Sequence, residues 1–153
     1  MKPGQKFRNA LKNNKPLIIP GTINAYSAKL AELANHNSIY LSGSGVAAAS
    51  YGLPDLGVTT LENVLIDAKR ITSATSLPLL VDIDTGWGDF DAISNTIIEM
   101  GNANVAAVHI EDQIFDKRCG HRPNKQLVSI DEMQDRLKAA FSSFWLGLNI
   151  LYS

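Results

Sequence analysis

Short apolar runs alternate with segments of helical periodicity along most of the chain. Four apolar runs predict strands, at residues 17–19, 38–41, 79–84 and 105–110. Between the runs, apolar side chains recur every three or four positions, as on one face of a helix. Alternation of this kind is typical of βαβ units around a parallel sheet. The pattern therefore predicts about four βα units in an α/β fold.

Helix starts can be predicted from capping residues. Thr59 and Glu62 have the spacing of a capping box, and so do Ser129 and Glu132. The run at residues 42–45, Ser-Gly-Ser-Gly, predicts a loop instead, because Ser and Gly are common turn formers. Its backbone N–H groups could receive a small carboxylate or phosphate, the alternative being a plain turn.

Composition narrows the class of protein. The 153 residues carry a formal net charge of −1, with 45% hydrophobic and 19% charged residues. Without a basic excess, nucleic acid is not an expected partner. No window reaches the ~20 apolar residues of a membrane span. A single cysteine allows no internal disulfide, which fits the cytoplasm. We expect a soluble cytoplasmic protein that acts on a small molecule.

The candidate reactive and ligand-binding residues all lie at the carboxyl ends of predicted strands or in the loops that follow. Active sites of parallel α/β folds are built at that edge. Tyr40 and Ser42–Ser44 follow the second strand, Asp82 and Asp84 end the third, Glu111 ends the fourth, and the loop around Cys119 comes next. The four segments are therefore expected to converge on one rim.

Asp82 and Asp84 are two positions apart, so on a strand their carboxylates share a face, with Cα atoms roughly 6–7 Å apart. Such a pair repels unless a cation or proton lies between. Mg²⁺, with Mn²⁺ as an alternative, would relieve the repulsion, and Asp55 or Glu111 could hold its waters. The other interpretation is a pair of surface acids that cap a turn. The glycines of residues 85–88, Thr-Gly-Trp-Gly, favour a ligand site.

Cys119 lies in the run Lys117-Arg118-Cys119-Gly120-His121. Two cations and an imidazole would stabilise its thiolate, so the thiol is a candidate proton donor or nucleophile. The alternative is a buried thiol without chemistry. Of the three histidines, His121 is the candidate functional one.

Five segments carry a resemblance to a known group of enzymes: residues 40–46, 49–57, 81–88, 109–113 and 117–123. Together they resemble the isocitrate lyase and phosphoenolpyruvate mutase superfamily. The Lys-Arg-Cys-Gly-His run followed by Arg-Pro-Asn-Lys is the specific part, and the match runs from about Phe7 to Ala140. The resemblance implies the N-terminal half of a (β/α)₈ barrel, since a closed barrel takes about 250 residues.

Within the superfamily, the sequence looks most similar to the lyases of the methylcitrate cycle in propionate catabolism. This implies cleavage of 2-methylisocitrate to pyruvate and succinate. Because the chain holds only about half of the barrel, we expect it to be a truncated form with impaired activity. Asp82 and Asp84 would then hold Mg²⁺ directly, and Asp55 and Glu111 would act through its waters. The related alternatives are oxaloacetate decarboxylase, phosphonomutase or isocitrate lyase activity, and a remnant that binds only metal or a small carboxylate.

The resemblance also implies how substrate is bound. Ser42, Gly43 and Ser44 would bind a substrate carboxylate, although the superfamily usually has glycine at the position of Ser44. Cys119 and Gly120 would contact the succinate half.

Proton transfer is implied in the same way. Cys119 would protonate the succinate carbanion, with Lys117 and His121 tuning or positioning it, and Tyr40 would move the substrate hydroxyl proton.

Residues 141–153 differ from the rest, with no charge and four of the eleven aromatic residues. We expect residues 1–140 to form the partial barrel and the remainder to be an atypical tail, from a frameshift or premature stop, or else an additional strand. An open sheet edge and face would make the chain poorly stable or self-associating, and the superfamily resemblance implies homo-oligomers.

Overall fold

The computed structural model describes residues 1–115, 117–120, 123–142 and 149–152. Its helices are α1 (Pro3–Asn13), α2 (Ala25–Leu33), α3 (Gly43–Tyr51), α4 (Leu61–Ala74), α5 (Phe90–Asn102) and α6 (Ile130–Ser142). Its strands are β1 (Ile39–Leu41), β2 (Leu79–Asp82), β3 (Ala107–Ile110) and β4 (Asn149–Tyr152). They form a parallel sheet in the order β1-β2-β3-β4, which confirms the predicted α/β fold. None of the described helices is long and apolar enough to cross a membrane.

One face of the sheet is covered by helices. Alternate strand residues point to this face, and Leu41, Val81 and Val108 are fully buried there. They pack in one cluster with apolar side chains of the helices, including Ile71 of α4 and Ile97 of α5. Burial of each such side chain contributes about 1.5–3 kcal/mol, so this layer supplies most of the hydrophobic stabilisation.

The opposite face is divided into an apolar and a polar part. Phe7 of α1 is fully buried and packs in a second cluster with Leu80 and Ala107. Asp82 and His109, which are paired in register, follow on the same face toward the carboxyl edge. Helix α1 therefore closes the lower part of this face and leaves the upper part polar.

The prediction of a strand at residues 17–19 was wrong. Residues 17–19 form no strand, and only the chain just after them makes an isolated parallel bridge to the sheet, between Gly21 and Tyr40. Proline stands on both sides of residues 17–19, at Pro16 and Pro20. Proline has no N–H to donate, so the segment cannot form a regular ladder.

The Ser-Gly run at residues 42–45 is also not a loop. It forms the start of α3, where Ser42 is the N-cap and its Oγ accepts a hydrogen bond from Gly45 N at 3.4 Å. Serine is favoured both in turns and at N-caps. The alanines that follow, residues 47–49, favour the helix.

The capping interactions of α4 and α6 also differ from the predicted capping boxes. At α4 the box joins Thr60 and Asn63, with Asn63 N donating to Thr60 Oγ1 at 3.3 Å and Thr60 N donating to Asn63 Oδ1 at 2.9 Å. Helix α4 thus starts one residue later than the pattern predicted. At α6, Glu132 N donates to Ser129 Oγ at 3.1 Å, but the Glu132 carboxylate pairs with Arg136.

The apolar tail contains a strand. Residues 149–152 pair in parallel with β3, from Asn149 opposite Ala107 to Tyr152 opposite Ile110. The alternative of an additional strand is therefore confirmed for these four residues. Residues 143–148 and 153 lie outside the described residues, and the proposed boundary at residue 140 stays a prediction.

Gly86 provides a test of the packing between the β2–α5 turn and α5. It has a φ of +92°, and a β carbon added there would lie 2.5 Å from Ile93 Cγ1. We expect Gly86→Ala to lower the free energy of unfolding by about 2–5 kcal/mol, from left-handed strain together with overpacking. Urea unfolding followed by circular dichroism measures this loss.

Two other glycines are matched controls. Gly52 has a φ of +64° but open space around it, so Gly52→Ala should cost only about 1 kcal/mol. Gly21 has open space and no positive φ, so Gly21→Ala should change stability by less than about 0.5 kcal/mol. Equal losses at Gly86 and Gly52 would show that contact with Ile93 does not limit this position.

Candidate active site

Asp82 and Asp84 come together at the carboxyl end of β2, but not along one strand. The strand ends at Asp82, and Asp84 has a left-handed φ of +49°, a conformation that Asp tolerates better than most residues. Ile83 N still donates to His109 O at 3.0 Å, and Glu111 N donates to Asp84 O at 2.8 Å. The predicted strand to residue 84 is therefore shortened by a turn, and the turn itself is tied to β3.

The Asp82 carboxylate is fixed by backbone N–H groups. Its Oδ1 accepts from Asp84 N at 3.0 Å, and its Oδ2 accepts from Gly43 N at 3.3 Å. The second bond satisfies an N–H in the first turn of α3, which has no partner within its own helix. The positive end of the helix dipole also favours a carboxylate there. Asp82 thus joins β2 to α3.

Lys117 lies in the cysteine loop, whose described residues are 117–120, and connects this loop to Asp84 and Asp55. Its Nζ forms an ion pair with Asp84 and lies 3.1 Å from Asp55 Oδ1. The lysine is only 6% exposed. Burial alone would lower the pKa of Lys117, but the carboxylates of Asp84 and Asp55 outweigh burial and raise it. The ammonium group is therefore charged at neutral pH.

Negative charge at the site is only partly balanced. Burial and the adjacent charge of Asp82 raise the pKa of Asp84 to about 6, although Lys117 acts in the opposite direction. Burial also raises the pKa of Glu111, and Asp82 adds to this effect. Like charges in a buried site favour protonation or a bound cation. A proton or a cation bound near Asp82, Asp84 and Glu111 would therefore reduce the repulsion between their carboxylates.

Tyr40 borders the same acids from β1. Burial, followed by the charge of Asp82 and a hydrogen bond to it, raises the pKa of the Tyr40 hydroxyl. The group is therefore protonated at neutral pH and acts as a hydrogen-bond donor.

The loop that carries Cys119 lies beside Glu111. Cys119 is half-buried, and a β carbon added at Gly120 would lie 3.9 Å from Glu111 Oε1. Gln113, which was not among the predicted site residues, donates through Nε2 to Glu111 Oε2 at 2.7 Å. An isolated Gln has no distinctive pattern, and only its position in the resembling run 109–113 could have drawn attention to it. His121 lies outside the described residues.

The described residues fit Mg²⁺ better than a metal that needs a full set of protein ligands. Among them, no group of three or more His, Cys, Asp or Glu side chains could hold a metal ion. Mg²⁺ usually binds one or two carboxylates and keeps several waters, which suits the Asp82 and Asp84 pair. Zn²⁺ would need nitrogen or sulfur ligands in addition.

Comparison with known proteins agrees with the predicted superfamily. Residues 7–144 match the family model described as phosphoenolpyruvate phosphomutase. The chain belongs to this family. A curated relative, the 2-methylisocitrate lyase of Shewanella oneidensis, is 64% identical over 137 residues, which are 90% of this chain and 47% of that protein. The chain spans about half the length of the curated relatives that it matches.

Solved structures of family members show the same fold. An oxaloacetate acetylhydrolase in complex with the inhibitor 3,3-difluorooxalacetate matches with a TM-score of 0.92 and 32% identity, over 99% of this chain and 53% of that one. A phosphonopyruvate hydrolase in complex with oxalate and Mg²⁺ matches with a TM-score of 0.82 and 30% identity, over 99% and 53%. The prediction of half a TIM-type barrel is confirmed.

Gly43 offers a test of the acidic pair. A β carbon there would lie 3.1 Å from Asp84 Oδ1 and 3.4 Å from Asp82 Oδ2. We expect Gly43→Ala to weaken Mn²⁺ or Mg²⁺ binding by about fivefold or more, because the carboxylates must move apart or lose a hydrogen bond of about 1 kcal/mol. Isothermal titration calorimetry measures the affinity.

Gly45→Ala is the matched control. The added β carbon would be equally crowded, at 3.1 Å, but against Ile23 Cγ2 rather than a carboxylate. This variant should bind the metal like the unmodified chain. If both variants lost the same affinity, the cause would be a general disturbance of α3 and not contact of the added β carbon with Asp82 and Asp84.

Proposed function

We propose that this chain carries the site of a Mg²⁺-dependent carbon–carbon lyase that cleaves 2-methylisocitrate to pyruvate and succinate in the cytoplasmic methylcitrate cycle. The main support is the buried Asp82 and Asp84 pair, tied through Lys117 to the cysteine loop. The 64% identity to a 2-methylisocitrate lyase agrees with this choice of substrate. Mn²⁺ is an alternative metal.

Substrate binding is proposed at the start of α3. The positive end of a helix suits a carboxylate, and the helix begins with Ser42, Gly43 and Ser44. The Oγ atoms of Ser42 and Ser44 are hydrogen-bonded to each other at 3.0 Å, so one of the two hydroxyl hydrogens remains to donate to an anion. Gly43 N already donates to Asp82, which leaves the second serine hydroxyl hydrogen and the next N–H group for the substrate. Cys119 and Gly120 would contact the succinate half.

The metal would be held by Asp82 and Asp84, with Asp55 and Glu111 acting through its waters. When bound, Mg²⁺ supplies positive charge that stabilises the negative charge developing on the keto-acid product. Lys117 fixes Asp55, and Gln113 fixes Glu111, so both outer acids are already oriented.

Bond cleavage requires two proton movements. The substrate hydroxyl loses its proton as it becomes a carbonyl, and the electron pair of the broken bond remains on the succinate half. Cys119 would donate its thiol proton to that carbon, with Lys117 and His121 positioning or tuning it. Tyr40, which is protonated and hydrogen-bonded to Asp82, would relay the hydroxyl proton: its oxygen would accept that proton while its own proton passes to the Asp82 carboxylate.

Turnover by this chain tests the proposal. With Mg²⁺ and 2-methylisocitrate, we expect pyruvate release in an assay coupled to lactate dehydrogenase. Cys119→Ser should lower the rate by about 10²-fold or more, since a positioned acid contributes that much.

Lys138→Ala, a change at an exposed residue of α6, should keep the original rate. Pyruvate release that does not depend on the thiol would refute the role of Cys119. Metal binding without any turnover would favour the non-catalytic alternative.

We also propose that copies of the chain associate. In the described part of the chain, β4 stands at the end of the sheet, and its outer edge offers backbone N–H and C=O groups for pairing. Sedimentation velocity should show a dimer or larger species. A monodisperse monomer that melts cooperatively would contradict this proposal.

A further inference from the structure

Gln113 is buried, and every donor and acceptor group of its side-chain amide forms a hydrogen bond. It is 2% exposed. Its Nε2 donates to Glu111 Oε2 at 2.7 Å and to Arg118 O at 2.9 Å, while its Oε1 accepts from Arg118 N at 3.1 Å. Both amide hydrogens and the carbonyl oxygen therefore have partners. One side chain holds both backbone groups of the residue before Cys119.

The backbone of Gln113 is itself fixed. The residue forms an antiparallel bridge with Leu127, and Ile114 N donates to Gln126 O at 3.0 Å. Arg136 of α6 donates through Nη1 to Gln113 O at 2.8 Å. Residues 113–114 and 126–127 thus form a short antiparallel pairing, the stem, on either side of the cysteine loop, and Gln113 lies at its base.

Apolar packing contributes little to the position of this loop. Phe115 is 64% exposed and Leu127 is 53% exposed. A cavity of about 220 Å³ lies between the loop and the stem, lined by Glu111, Asp112, Gln113, Gly120, Lys125 and Leu127. Because the apolar side chains here are exposed, the hydrogen bonds of Gln113, together with the ion pairs of Lys117, are the main described constraints on the loop near the thiol.

We propose that Gln113 is a positioning residue that fixes the Cys119 loop relative to Glu111, an inference that rests on the proposed function of the thiol. The bonds to Arg118 fix the backbone directly before Cys119, and the bond to Glu111 fixes the carboxylate beside it. Glutamine suits this task because its amide is both donor and acceptor. An ionised Glu only accepts, and Asn is one methylene shorter.

The only cysteine of the chain allows a direct test. Alkylation of Cys119 by iodoacetamide reports on the loop without any need for turnover. Gln113→Met keeps the length of the side chain but removes all three hydrogen bonds. We expect its alkylation rate to rise by about fivefold or more, the factor that corresponds to losing one hydrogen bond of ordinary strength.

Two control variants separate positioning from general stability. Gln126→Met makes the same chemical change on the other side of the stem, where the side chain is exposed and the backbone carbonyl accepts the bond from Ile114. Ser38→Ala removes a buried hydrogen bond to Pro78 O of 2.9 Å at the opposite edge of the sheet. Both should be alkylated at the original rate.

Gln113→Glu serves as a second variant in case Gln113→Met does not fold. It keeps an acceptor for Arg118 N but loses both donors, so its alkylation rate should also rise. Alkylation of the Gln113 variants at the original rate, or at the rate of Ser38→Ala, would overturn the inference. Absence of pyruvate release would refute the proposed function but leave this result unchanged. In an active chain, loss in kcat should exceed the rise in KM, since the thiol proton is needed only in the reaction step, whereas Cys119 and Gly120 supply only part of the substrate contacts.

Discussion

The buried ion pair between Lys117 and Asp84 is the interaction on which the site depends. It joins the turn after β2 to the cysteine loop, and the second contact of Lys117, with Asp55, brings in the segment after α3. Removing one partner of a buried ion pair typically costs about 3–5 kcal/mol, because the other charge is left without compensation. The three segments are therefore held as a unit by one ammonium group.

The sequence allowed much of this arrangement to be predicted. The apolar runs located β1, β2 and β3, and the spacing of Asp82 and Asp84 correctly suggested neighbouring carboxylates. Their adjacency survives the turn at Asp84 because the backbone of Glu111 holds that turn against β3. The resemblance identified the family from segments that the fold brings to one edge.

Other features could not be read from the pattern. The segment at residues 17–19 is as apolar as a strand, but the flanking prolines limit its pairing. Serine at position 42 is equally common in a turn and at an N-cap, so only the structure distinguishes them. The partners of Lys117 and Gln113 depend on the directions of long side chains, and those directions arise from tertiary packing.

Helix α1 has a consequence for the electrostatics of the site. Phe7 and Leu80 form an apolar floor on the same face of the sheet that carries Asp82. Because these apolar side chains exclude water, the local dielectric constant is lower, and the charges above them interact more strongly than they would at an open surface. Helix α1 carries none of the candidate site residues, but its packing helps to set the strength of the electrostatic interaction between the carboxylates of the site.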